Sequence, residues 1–174
     1  QMCIRDSIKS NHKNKGLKID TEIMKSESVN YLINKKMGDL KSEWTPIVKE
    51  KYIPKIKEIT SGKPLKLLLH SIAFGTTTNF FGEKPVTQRQ MDMTVHVMGN
   101  SLLYWTQKLF SEKLLGQGSR VMGLTSEGNY LAMEGYGPVS VAKVAMEAII
   151  RQIGWELGEA GITANAIQAG VTPT

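Results

Sequence analysis

Three short apolar runs, separated by two long amphipathic stretches, constrain this chain more than any other feature. The runs are "LKLLLHSIA" from Leu65, "SRVMGLTS" from Ser119 and "ITANAIQAG" from Ile162. Short apolar runs bounded by Gly, Thr and Asn read as buried strands. Between the first two lies "TQRQMDMTVHVMGNSLLYWTQKLFSEKLL", which has helical length and apolar spacing. A second helix is expected to open near Gly137, with Pro138 in its first turn. It should run to "ELGEAG", where Gly161 supplies the stop. Strand, helix, strand, helix, strand predicts an α/β fold, a parallel sheet flanked by helices in three layers. Ligands of such sheets bind at the carboxyl ends of the strands. The segments "HSIAFG", "LTSEGNY" and "QAGVTPT" are therefore expected to line a site.

The rest of the chain bounds the class of protein. With 174 residues there is enough chain for one domain with a real core. No apolar run reaches membrane-spanning length, and the N-terminus lacks the pattern of a secretory signal. The single cysteine, Cys3, cannot form an internal disulfide, so a reducing cytoplasm is the expected setting. No His, Cys, Asp and Glu cluster has metal-ligand spacing. Residues 1–66 hold 15 Lys/Arg against 8 Asp/Glu. Those lysines alternate with acids, as in "KSEWTPIVKEKYIPKIKEI", and no aromatic stripe accompanies them. They read as solvated helix faces and not as a nucleic-acid surface.

Three regions are expected. "QMCIRDS", residues 1–7, reads as a translated adaptor or assembly artefact, or a disordered tail. Residues 8–64 form a polar, lysine-rich N-terminal part. It holds a short strand in "GLKIDTEIM" and helical stretches around 28–36 and 41–59, where Pro46 and Pro54 break or start turns. Residues 65–174 carry the strand–helix pattern.

The stretch "EGYGPVSVAKVAMEAII" holds the candidate chemistry. Tyr136 and Lys143 are seven residues apart, which is close to two helical turns, so both face the same way if the helix includes or nearly includes Tyr136. An ammonium beside a phenol favours the phenolate and lowers its pKa from about 10. The positive end of the helix acts in the same direction. A tyrosine so tuned can deliver a proton to a developing oxyanion. A chance surface pair has the same spacing, so spacing alone does not decide.

From Leu69 onward four blocks resemble the short-chain dehydrogenase/reductase superfamily, and within it the enoyl-acyl-carrier-protein reductases of type II fatty acid synthesis. "LLHSIAFG" resembles their strand-four turn, and "TVHVMGNSLLYWTQ" their central helix. "GYGPVSVAKVAMEA" carries the tyrosine, six residues and lysine of enoyl reductases. "WELGEAGITANAIQAGVTPT" resembles the unit leading to the nicotinamide side. In ketoreductase members the tyrosine would stand at position 139, which here is Val139, a side chain with no proton to give.

The resemblance implies a partial Rossmann-like domain, with NADH or NADPH as cofactor. It implies an enoyl thioester substrate, on acyl carrier protein or coenzyme A. Tyr136 would act on the thioester oxygen and Lys143 would hold the nicotinamide ribose. Ser71, Ile72 and Ala73 would contact that ribose, and Gly170, Thr172 and Thr174 would lie beside nicotinamide and pyrophosphate. The parent state it implies is a homotetramer built on the central helix and the Tyr-Lys helix. Another reductase acting on a carbonyl, or a non-catalytic Rossmann-like protein, remain alternatives.

Four features depart from the family pattern. Ser126 stands where many enoyl reductases have a second tyrosine, and where other members keep a catalytic serine. It is a candidate hydrogen-bond donor to substrate or a turn cap. Ala73 replaces a glycine. His96 stands where other members have a structural asparagine. Nothing in residues 1–64 matches a glycine-rich pyrophosphate turn, so the chain is expected to lack both ends of the domain and to bind cofactor poorly alone. Met91, Met93, Met98, Leu102, Leu103 and Trp105 are expected in the core or a subunit interface. Tyr130 is expected in a loop.

Overall fold

The three apolar runs become three parallel strands. In chain order the elements are α1 (Ile53–Thr60), β1 (Leu67–His70), α2 (Gln88–Val95), a π-helical turn (His96–Asn100), α3 (Ser101–Ser111), β2 (Arg120–Ser126), a 3-10 turn (Glu127–Asn129), α4 (Gly137–Leu157) and β3 (Thr163–Ala169). The structure is a computed structural model that describes residues 51–170, all within one compact unit. The expected strand in "GLKIDTEIM", the stretch around 28–36 and the segment holding Pro46 lie outside the described residues.

The sheet order is β1-β2-β3, with every pair parallel. Parallel neighbours need long crossovers, which is why helices fill both connections. The register sets Leu69 beside Met122 and His70 beside Gly123. It also sets Met122 beside Asn165, Leu124 beside Ile167 and Ser126 beside Ala169. Along β2, Val121, Gly123 and Thr125 are buried and alternate with half-buried Met122, Leu124 and Ser126. The buried set meets α4, where Met146 and Ile150 close on Gly123. The register carries the other set across to Leu67, Leu69 and Ile167, which are between 43% and 45% exposed. Helix packing therefore covers the α4 face along β2 and at His70 of β1, while β3 is exposed there at Ala166 and Gln168, and among the described residues the opposite face stays open to solvent.

The helices start and stop for local reasons. Thr87 caps α2 in a reciprocal box with Gln90. Its hydroxyl accepts from Gln90 N, and Gln90 Oε1 accepts from Thr87 N at 2.9 Å. The long stretch from Thr87 is helical, as its spacing indicates, but one π turn divides it. Just past that turn Ser101 Oγ donates to Val97 O at 2.7 Å. Pro54 sits in the first turn of α1, and Pro138 in the first turn of α4. After α4 the chain turns at Gly161, whose φ is +71°, and Ile162 N donates back to Leu157 O. Tyr52, just before α1, packs edge-on against Trp105 of α3, with ring centroids 6.2 Å apart. Met93, Met98 and Leu102 are buried, as expected of core residues.

Candidate active site

The topology brings the expected residues to one edge of the sheet. Ser71, Ile72 and Ala73 follow the carboxyl end of β1, Ser126 ends β2, and Gly170 follows β3. Thr172 and Thr174 lie outside the described residues. Ser71 and Ile72 are half-buried, while Ala73 and Gly170 are exposed.

Tyr136 is the residue that caps α4. Its φ and ψ of −87° and −8° are already near-helical, and its carbonyl accepts from Ser140 N at 2.9 Å. The helix thus nearly includes it, as the seven-residue spacing requires. Its ring packs with Ile72 and Val95 against a buried cluster of Met98, Val139 and Ala142. Gly128 presses on the ring from the β2 side. A Cβ there would overlap Cε1 of the tyrosine, so only glycine fits. Val139, at the ketoreductase tyrosine position, is 5% exposed and belongs to the core.

Lys143 lies two turns into α4 and is buried. Its ammonium donates to Leu124 O at 2.7 Å and to Ile72 O at 3.1 Å, tying the ends of β2 and β1 together. Ile72 is thus shared, touching the lysine through its carbonyl and the tyrosine's cluster through its side chain. Burial pushes the Lys143 amine down to about 8, because a dry site disfavours the cation. Among the described residues the ammonium meets carbonyls instead of a carboxylate. Two of its three N–H groups are occupied, which leaves one for a hydroxyl-bearing ligand.

Ser126 is committed locally. Its Oγ accepts from Gly128 N at 3.2 Å and caps the 3-10 turn. A hydroxyl that accepts in this way keeps its own O–H to donate. Both readings of Ser126 are therefore compatible with the geometry. His96 opens the π turn and tilts against the Tyr104 ring, centroids 5.5 Å apart. Tyr130 is 72% exposed in the loop after the turn, as expected.

Four further residues, Glu147, Thr125, Asn129 and His70, were missed by sequence reasoning. Glu147 lies one turn beyond Lys143 on α4. Its Oε1 accepts from Thr125 Oγ1 and from Asn129 Nδ2, each at 2.5 Å, and Asn129 Nδ2 also donates to Thr125 Oγ1 at 2.8 Å. The i,i+4 spacing from Lys143 was the available signal, since it puts both side chains on one face. The fourth is His70, which is buried. Its Nε2 lies 2.7 Å from Ser101 Oγ, whose proton goes to Val97 O, so Nε2 carries the hydrogen. Burial, then the Lys143 charge, push the imidazole down to about 4, so it is neutral at pH 7.

A family model described as Enoyl-(Acyl carrier protein) reductase matches residues 50–174. The chain belongs to this family. Among curated enoyl-acyl-carrier-protein reductases, Enoyl-[acyl-carrier-protein] reductase [NADH] 1 of Rhizobium meliloti (strain 1021) is 31% identical over 111 residues. That match covers 63% of this chain and 40% of the relative. The Enoyl-[acyl-carrier-protein] reductase [NADH] FabI of Bacillus subtilis (strain 168) is 28% identical over 103 residues, covering 59% and 40%. The crystal structure of Enoyl-[acyl-carrier-protein] reductase (NADH) from Aquifex aeolicus VF5 superposes with a TM-score of 0.58 at 25% identity. It covers 68% of this chain and 48% of that one. The reductase LugOII, described as catalysing keto-reduction, shares the fold with a TM-score of 0.59 at 24% identity. The chain spans about 40% of the length of the curated enoyl reductases it matches.

Proposed function

We propose that the protein containing this chain reduces the 2,3 double bond of an enoyl thioester, carried on acyl carrier protein or coenzyme A. The observation that carries this reading is the exchange of positions on α4. Tyr136 stands at the cap, seven residues before the Lys143 strut, while the ketoreductase position is filled by buried Val139. A bound NADH or NADPH would supply the hydride for the β-carbon. The matched enoyl reductases named above are described as NADH enzymes, which favours NADH. Lys143, Ser71, Ile72, Ala73 and Gly170 are the residues that would hold the cofactor, with Thr172 and Thr174.

The protein's own part is to manage the charge that builds on the thioester oxygen. Tyr136 O–H would hydrogen-bond or protonate that oxygen, and the free donor of Ser126 would assist. The helix N-terminus at Tyr136 and the Lys143 cation would add to that stabilisation. Exposed Val141, Val144 and Trp155 on α4 support a homo-oligomer, a tetramer by the family resemblance. Among the described residues no helix is long and apolar enough to cross a membrane, and we place the protein in the cytoplasm.

The test is turnover of a crotonyl thioester by the full-length protein with reduced nicotinamide. Tyr136→Phe is expected to lower kcat by about 10²–10⁴-fold, the range of a lost general acid. Activity on ketones alone, or an unchanged Tyr136→Phe rate, would defeat the proposal.

A further inference from the structure

Lys143 and Glu147 grip consecutive residues of β2 from one face of α4. The lysine holds the Leu124 carbonyl, and the carboxylate holds the Thr125 hydroxyl. Asn129 closes the second grip by donating to both Glu147 Oε1 and Thr125 Oγ1. Between Thr125 and Asn129 lie Ser126 and Gly128. Ser126 Oγ takes the Gly128 N–H, and the Gly128 backbone seats the Tyr136 ring, with no room for a Cβ between them. The chain of contact therefore runs from Glu147 through Asn129 to Gly128, and from Gly128 to both candidate catalytic side chains.

We infer that Glu147 is a positioning residue for Tyr136 and Ser126, acting through the Glu127–Asn129 turn. Resting on the enoyl reductase reading, this assigns a role to a carboxylate that does not itself reach the reacting atoms. From α4, Glu147 reaches the turn through Asn129. The turn's backbone bonds, Tyr130 N and Leu131 N to Glu127 O, stay within the loop. Without the Glu147 oxygen, Thr125 and Asn129 lose their shared acceptor and keep the hydrogen bond between them, so the turn is held less firmly against the tyrosine. A serine and a tyrosine set on one strap must keep their mutual distance if both are to meet one substrate oxygen. Misplacement by about 1 Å costs on the order of 10²-fold in such arrangements.

The charge of Glu147 is not what the geometry uses. Both partners donate to a single oxygen, Oε1, so a glutamine oxygen can accept the same pair of hydrogen bonds. This separates a positioning role from an electrostatic one. In the full-length protein Glu147→Ala is expected to lower kcat with crotonyl thioester by about 10–100-fold, leaving KM for reduced nicotinamide within about threefold. Glu147→Gln should restore kcat to within about threefold of wild type. An alanine variant with wild-type kcat, or a glutamine variant as impaired as alanine, overturns the assignment.

A readout independent of turnover separates failure of this inference from failure of the enoyl reductase reading. Amide hydrogen exchange across 127–136 should speed up in Glu147→Ala and in Thr125→Val, and stay at the wild-type rate in Glu147→Gln. If the wild-type protein reduces no enoyl thioester, this pattern still supports the strap, and uniform exchange in all three variants refutes it. Thr125→Val keeps the side-chain shape, so it carries the test should the alanine variant fail to fold.

Discussion

The two faces of the sheet obey different rules. On the α4 face, Val121 and Met146 are fully buried, and even the polar side chains Thr125, His70 and Lys143 are dry. On the opposite face Leu67, Leu69 and Ile167 remain nearly half exposed. The same strands carry both faces, and alternate residues of one strand belong to different solvents. Packing on the first face is thus free to decide function. A buried lysine can be used as a strut between strand ends only where water is excluded, because in water its ammonium would stay hydrated and free.

Removing volume should therefore hurt most on the α4 side. Met146 packs under Gly123, where a Cβ would come within 2.9 Å of its sulfur. Met146→Ala should cost about 2–5 kcal/mol, the range of a buried large-to-alanine change that leaves a cavity. Urea unfolding of wild type and variant measures it. A loss below about 1 kcal/mol would mean that α4 is not clamped to the sheet.

Acid and base sharpen the same contrast through two buried basic groups. The His70 imidazole is held down to about 4 against an ordinary 6.5. Between those values the unfolded chain binds a proton that the folded chain refuses, so stability is full above pH 6.5 and falls as pH drops toward 4. The Lys143 amine is held down to about 8 from 10.5. By the same sign, its stability contribution is full above pH 10.5 and is lost as pH falls through 8. The native site therefore carries a buried cation at a cost at neutral pH. Each effect is on the order of 3 kcal/mol across its window. Relative to His70→Gln, wild type should weaken from pH 6.5 to 4. Relative to Lys143→Met, wild type should gain stability from pH 8 to 10.5. Parallel stability curves for wild type and variant in either window would show that the group is wet.

How much of this was legible in the sequence depends on the range of the interaction. The strands and the Pro138 start are local signals, and the structure has them there, whereas α4 ends at Leu157, short of Gly161, where the chain turns. The near-helical backbone at Tyr136, seven residues before Lys143, was readable because the spacing calls for it. The carbonyls that Lys143 grips were not, since Ile72 lies 71 residues away and a backbone oxygen has no side-chain signature. Apolar runs also could not reveal the asymmetry of the sheet. Leu69 and Leu68 look alike in sequence, and only the position of α4 decides which is covered. The π turn was hidden for a similar reason, as "HVMGN" has ordinary helical composition.

The weakest expected effect lies on the open face and tests the contrast from its other side. Ile167 sits opposite Leu124 in the register, with 45% of its surface in solvent. Threonine keeps the β-branch that suits a strand and replaces one apolar arm by a hydroxyl that water can satisfy. Ile167→Thr in this chain should therefore shift unfolding by no more than about 1 kcal/mol, since little apolar area is returned to water. The same change at a dry position would strand a hydroxyl and cost more. Urea denaturation with an unchanged slope would confirm that the variant unfolds from the same state. A loss of about 2 kcal/mol or more would mean that Ile167 is enclosed, and the two faces would then differ in geometry without differing in solvent.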